Sequence, residues 1–83
     1  MTTIYLDDYL NDQILKEESF RKKINNTDWT KYLNQKVLIK GCAKSPIPTW
    51  AYMIITGNLV KYADSIYFGE PCSAVKIYSK TKD

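Results

Sequence analysis

The chain has no histidine. That excludes Ser-His-Asp and Cys-His machinery and imidazole-held metals, leaving any catalysis to thiolate, carboxylate, Lys or Tyr. The carboxylates crowd into the first third and offer no convergent acid–base pair. Cysteine is nearly as scarce, since Cys42 and Cys72 are the only two. They allow one disulfide or half of a four-cysteine metal site. Glycine and proline number three each, and neither a repeat nor a low-complexity tract is visible. The stretch Gly41-Cys42-Ala43-Lys44-Ser45 has a passing look of a phosphate loop. It lacks that motif's first glycine, and Pro46 and Pro48 remove amide donors a phosphate would need. No apolar run is long enough to span a bilayer, and a start carrying Asp7 and Asp8 does not resemble a secretory signal. The expectation is a cytoplasmic protein with reduced thiols.

What remains is one domain of 83 residues with a formal charge of +3. A chain this short buries a modest core and gains from a disulfide, a metal or a partner copy. The densest basic run, Arg21-Lys22-Lys23, lies one helical turn after Glu17 and Glu18, so i,i+4 pairing on a solvated helix explains it. Nucleic-acid binding through that run therefore ranks last among the readings.

Hydrophobic patterning predicts an α/β fold, a small, mainly parallel sheet with helices packed against it. Thr2 to Leu6 reads as an edge strand. A helix is expected from a cap at Asn11 or Asp12 to about Asn25, with Phe20 and Ile24 as its stripe. Asp28 then caps a turn presenting Trp29, Tyr32 and Leu33. Val37-Leu38-Ile39 is a continuous apolar run, the signature of a buried central strand over 36–40. Helix 49–62 and strand 65–68 follow, and Val75, Ile77 and Tyr78 suggest a last edge strand. Strand, helix and strand make a right-handed unit with parallel strands.

Helix 49–62 is apolar on two sides. Ala51, Tyr52, Ile55, Leu59, Tyr62 and Ala63 form the stripe expected to pack on the sheet. Trp50, Met53 and Val60 form another, with Gly57 beside them. Either Trp50 and Met53 pack beneath the first helix, or this stripe is a subunit interface that Gly57 lets approach closely. The second option predicts a homodimer.

Cys42 and Cys72 each follow a strand of the parallel unit, so both are expected at the same sheet edge, where open α/β folds keep their sites. Lys44 and the helix start at Thr49 would favour the Cys42 thiolate. Gly41 and Gly69 would supply tight turns, with Ser73 beside Cys72. The pair could hold a soft metal, form a reversible disulfide, or be two small inert residues.

The chain also resembles a small uncharacterised bacterial family known only as a domain of unknown function. The resemblance is carried by Leu15-Lys16-Glu17 with Phe20-Arg21, Asp28-Trp29, Lys40-Gly41-Cys42, Ile47-Pro48-Thr49-Trp50-Ala51-Tyr52-Met53 and Phe68-Gly69-Glu70-Pro71-Cys72-Ser73. Members of that family are usually about twice this length, with two related halves, and are often encoded near sulfur-mobilisation genes for iron–sulfur assembly. The resemblance implies thiol or cluster chemistry, and the expectation is an accessory protein, more a binder than an enzyme, that holds an iron–sulfur cluster or zinc or exchanges thiols through Cys42 and Cys72. It also implies a protein partner in cluster assembly, with two copies of this shorter chain pairing. The rival is a structural or interaction protein in a larger complex, in which Trp50, Met53 and Trp29 are partner contacts and the cysteines inert.

Overall fold

The computed structural model describes residues 1–41 and 44–81. Strand β1 (Thr2–Tyr5) leads through a 3-10 turn (Leu6–Tyr9) to helix α1 (Glu17–Asn26). A second 3-10 turn (Trp29–Tyr32) precedes β2 (Lys36–Lys40), and α2 (Thr49–Leu59) joins β2 to β3 (Ser65–Phe68). Strand β4 (Val75–Ser79) then folds back on β3. The sheet order is β1-β2-β3-β4, with the first three strands parallel and β4 antiparallel. This is the mainly parallel α/β arrangement expected from the hydrophobic pattern.

Both crossovers step the same way along the sheet, so right-handed connections put both helices on one face. The core has that one-sided form. Phe20 and Ile24 of α1 and Ala51, Ile55 and Leu59 of α2 share a buried cluster with Ile4, Val37, Ile39 and Ile66. The alternate strand positions Thr3, Leu38 and Tyr67 pair side by side on the opposite face. No element of the described chain covers that side, and the shortest dimension of the molecule is only 18 Å.

Helix α1 begins at Glu17, not at Asn11 or Asp12. Asp12 and Gln13 both have positive φ, 49° and 65°, which no helix can contain. They form a tight turn closed by Asn11 and Ile14, whose amides and carbonyls exchange bonds of 2.7 and 2.9 Å. Two left-handed residues in succession are what a two-residue reversal needs. The turn leaves Ile14 at 60% exposure and Leu15 at 7%, so the apolar stripe does not extend back past Phe20. Glu17 and Glu18 then meet the positive helix terminus.

The Asp28 cap forms as expected. Its carboxylate accepts from the Thr30 hydroxyl at 2.5 Å and the Thr30 amide at 3.1 Å. The turn it starts buries Trp29 and Tyr32 but leaves Leu33 exposed. The Trp29 indole N–H donates to the Ile24 carbonyl at 3.1 Å, satisfying a helix-end acceptor. Helix α2 stops at Leu59, before the expected Tyr62. The Tyr62 carbonyl instead accepts from the Asn34 amide at 2.9 Å, tying that end of the chain to the entry of β2.

Phe20 is fully buried between the Tyr9 and Trp50 rings, with centroids 5.2 and 5.6 Å away. Phe20→Ala should cost about 3–5 kcal/mol in urea unfolding, enough to leave so small a domain largely unfolded. Ser65 is the opposite case: its hydroxyl is buried with no hydrogen-bond partner among the described residues. Ser65→Ala should leave stability unchanged or raise it by about 1 kcal/mol. The Asp28 carboxyl is held below its ordinary value, first by the Thr30 hydroxyl and then by the Thr30 amide. Its contribution is therefore present above the unfolded carboxylate pKa of about 4 and lost as pH falls through the lower folded value. Asp28→Asn should remove that part of the acid limb, seen as a flatter melting-temperature profile below about pH 4.

Candidate functional site

Two places gather the residues singled out by sequence. The first is the sheet edge where β2 and β3 both end. Cys42 lies outside the described residues, so the distance between the two thiols is not part of the structure. At this edge the Gly69 amide donates to the Ile39 carbonyl at 3.3 Å, pinning the β3–β4 hairpin loop to β2. Lys40 Nζ sits 3.3 Å from the Glu70 carboxylate across the same edge. Cys72 is an exposed free thiol in that loop. Ser73 is exposed beside it, its amide donating to the Glu70 carbonyl at 3.0 Å. Lys44 is exposed in the loop before α2. Among the described residues no three Cys, Asp or Glu side chains converge as a metal site would require.

The glycines at this edge act differently. Gly69 has φ of +123°, a conformation side chains resist. Gly41 is there for space, since a Cβ at that position would run into the Tyr52 hydroxyl. The Tyr52 ring in turn stands edge-on to Phe68, centroids 4.9 Å apart.

That Tyr52–Phe68 pair is the end wall of the second place, an apolar groove of about 530 Å³ between α2 and the β3–β4 edge. Thr49, Met53, Thr56 and Gly57 line it from the helix, and Ile39, Phe68 and Ile77 from the sheet. Among the described residues no charged side chain lines it. Its rim is open, with Met53 67% exposed, Val75 60%, Ile77 48% and Phe68 41%.

The second stripe of α2 therefore divides. Trp50 meets Phe20 edge-on under α1, and Val60 packs against the core. Trp29 is buried as well. Met53 and Gly57 face the groove, and nothing within 4 Å would meet a Cβ added at Gly57. The helix period alone puts Trp50 and Met53 on one side of α2; the Phe20 ring of α1 takes up Trp50, and Met53 is left at the groove. The sheet-side wall was missed in the sequence. Ile77 lines it from β4, where a register shift between Ile66 and Tyr67 pairs Ile66 with Tyr78 and Tyr67 with Lys76. The bulge leaves Ile77 unpaired and turned to the helix side. Arg21 and Lys22 pair with Glu17 and Glu18 at 2.8 and 3.7 Å, and Lys23 donates to the Asp8 carbonyl at 3.0 Å.

The family of proteins of unknown function designated DUF2480 has a model that matches residues 6–80, and the chain belongs to it. No curated protein and no solved structure matches the chain. Among the described residues no helix is long and apolar enough to cross a membrane.

The two glycines near the groove should respond oppositely to alanine. Gly57→Ala should stabilise the fold by up to about 1 kcal/mol, because a mid-helix glycine is unfavourable and the new methyl meets nothing. Gly41→Ala should destabilise it and displace the Tyr52 ring, seen as a changed near-ultraviolet tyrosine signal. Equal responses at the two positions would contradict this geometry.

Proposed function

We propose that this chain is a non-catalytic interaction protein that pairs with a second copy through the groove between α2 and the β3–β4 edge. The observation that carries this reading is the open apolar rim, with Met53 two-thirds exposed above a groove that no charged residue lines among those described. A small monomer gains nothing from exposing such a surface, and Met is suited to contacts that must adapt. The chain supplies the complement itself. Met53, Val75 and Ile77 project at the rim, and a two-fold axis would set each copy's rim into the other's groove. Met53 and Gly57 are then the interface residues of α2, while Trp50 and Val60 support them from the core. Sedimentation should show a dimer at micromolar concentrations, and Met53→Lys should yield a folded monomer with unchanged helix content. A well-folded wild-type monomer at high micromolar concentration would overturn the proposal.

A second reading rests on Cys72, an exposed thiol at the sheet edge where β2 and β3 end. Here Cys42 and Cys72 would hold zinc or an iron–sulfur cluster, with Gly41, Lys44, Gly69 and Ser73 in support and a partner from cluster assembly, as the family resemblance implies. One chain gathers too few ligands among its described residues, so two copies would contribute two thiols each. Protein purified without oxygen should then be coloured or carry stoichiometric metal, and Cys72→Ser should lose it. A colourless, metal-free and still folded protein would leave the first reading alone.

A further inference from the structure

Among the described residues no element covers the sheet face opposite the helices, and tyrosines and lysines stand on it beside Thr3, Leu38, Ser65 and Ser79. Tyr5 pairs with Lys40 across β1 and β2, and Tyr67 pairs with Lys76 across β3 and β4. Each ring has its neighbour's ammonium above it, Lys40 Nζ at 5.8 Å from the Tyr5 centroid and Lys76 Nζ at 5.9 Å from the Tyr67 centroid. Lys36 lies on the same face, two residues before Leu38. No strand position on this side is acidic. The carboxylate that reaches it is Glu70, paired with Lys40 at the rim.

The floor between the tyrosines is Leu38, which is 1% exposed although no helix covers it. Its neighbours across the sheet are Thr3 and Tyr67. Tyr67 across the sheet and Lys36 and Lys40 two residues away along β2 are long side chains of the kind that cover an apolar neighbour while their polar ends stay in water. The result is a firm, flat surface. Tyr5, on the edge strand, is 48% exposed. From strand spacing and rise, the diagonal from Tyr5 to Tyr67 is about 12 Å.

We propose that this face binds single-stranded nucleic acid, with Tyr5 and Tyr67 as stacking platforms and Lys36, Lys40 and Lys76 as phosphate contacts. A sheet whose aromatic residues stack two or three unpaired bases is an established way of holding single strands. Interleaved cations supply the backbone affinity. The same positions do not suit a duplex, whose bases are already stacked and whose edges lie within grooves that a flat sheet cannot enter. An ammonium parked over a ring is displaced at low cost, because it moves to a phosphate as a base takes its place. The face lies across the sheet from the groove, so the proposal stands apart from the pairing proposed above.

Fluorescence anisotropy with labelled twelve-nucleotide oligo(U) and oligo(dT), and with a twelve-base-pair duplex, tests this directly. The single strands should bind at least tenfold more tightly than the duplex. Affinity should fall about 20-fold between 50 and 200 mM salt, as three phosphate contacts require. Tyr67→Ala should weaken binding roughly tenfold while Tyr67→Phe retains it, and Lys76→Gln should lower the salt slope by about 0.7. Melting curves of each variant check that the fold is kept. A gap between the RNA and DNA strands would show which sugar is preferred, within the same proposal. It is overturned if no single strand binds at 50 mM salt, if the duplex binds equally well, or if Tyr67→Ala binds as tightly as Tyr67→Phe. Binding to phosphatidylserine vesicles without binding to either oligonucleotide would overturn it too.

Discussion

Everything in this molecule depends on one topological constraint. Three parallel strands in sequence order, joined by two right-handed crossovers, must carry both helices on the same face. Among the described residues no third helix is left for the other side. The hydrophobic core is therefore a single layer between α1, α2 and the Val37–Ile39 face of the sheet, with Phe20 as the residue on which Tyr9 and Trp50 converge.

Two exposed surfaces follow from the same constraint. Two helices of ten and eleven residues cover β1 to β3, but β4 extends past them, so its apolar residues and the side of α2 have no cover. That is the groove. On the far face, Leu38 is apolar because a central strand sits better with a continuous β-branched and aliphatic run, yet no layer protects it. The chain resolves the conflict laterally, with tyrosine rings and lysine stems rather than with another element. A polar residue at Leu38 would dispense with that shield but weaken the strand at the centre of the sheet.

Much of this was legible in the sequence. The runs Val37-Leu38-Ile39 and Ser65-Phe68, the Pro48 entry to α2 and the Asp28 cap each have a local cause, and each appears where its cause lies. The start of α1 was not legible, because Asp12 and Gln13 carry no glycine to announce their left-handed backbone. Nothing in residue type alone says that an Asp-Gln pair will reverse the chain. The fate of Trp50 was written as two alternatives, and tertiary packing on Phe20 decided between them. Surfaces were the least legible. The basic run at 21–23 drew attention as the densest, but it is absorbed by Glu17, Glu18 and the Asp8 carbonyl. The lysines that share a face with tyrosines are dispersed over 36–76 and meet only once the register of four strands is known.

Strand β3 is where the two surfaces meet, and it shows how tightly they are specified. Tyr67 and Phe68 are consecutive, so the two-residue period of a strand sends one to the bare face and the other to the groove. A slip of one residue in the β2–β3 pairing would exchange them, placing a phenol in the core layer and an apolar ring among the lysines. Ile66 opposes that slip, since it is fully buried in the core and would move to the far face. Strand β4 needs a further device, because perfect alternation after Lys76 would turn Tyr78 away from the core. The bulge at Ile77 restores it, placing Ile77 and Tyr78 both on the helix side while Lys76 stays over Tyr67. One irregular residue thus completes the groove wall, keeps Tyr78 packed against the core and leaves the tyrosine–lysine pair on the opposite face undisturbed.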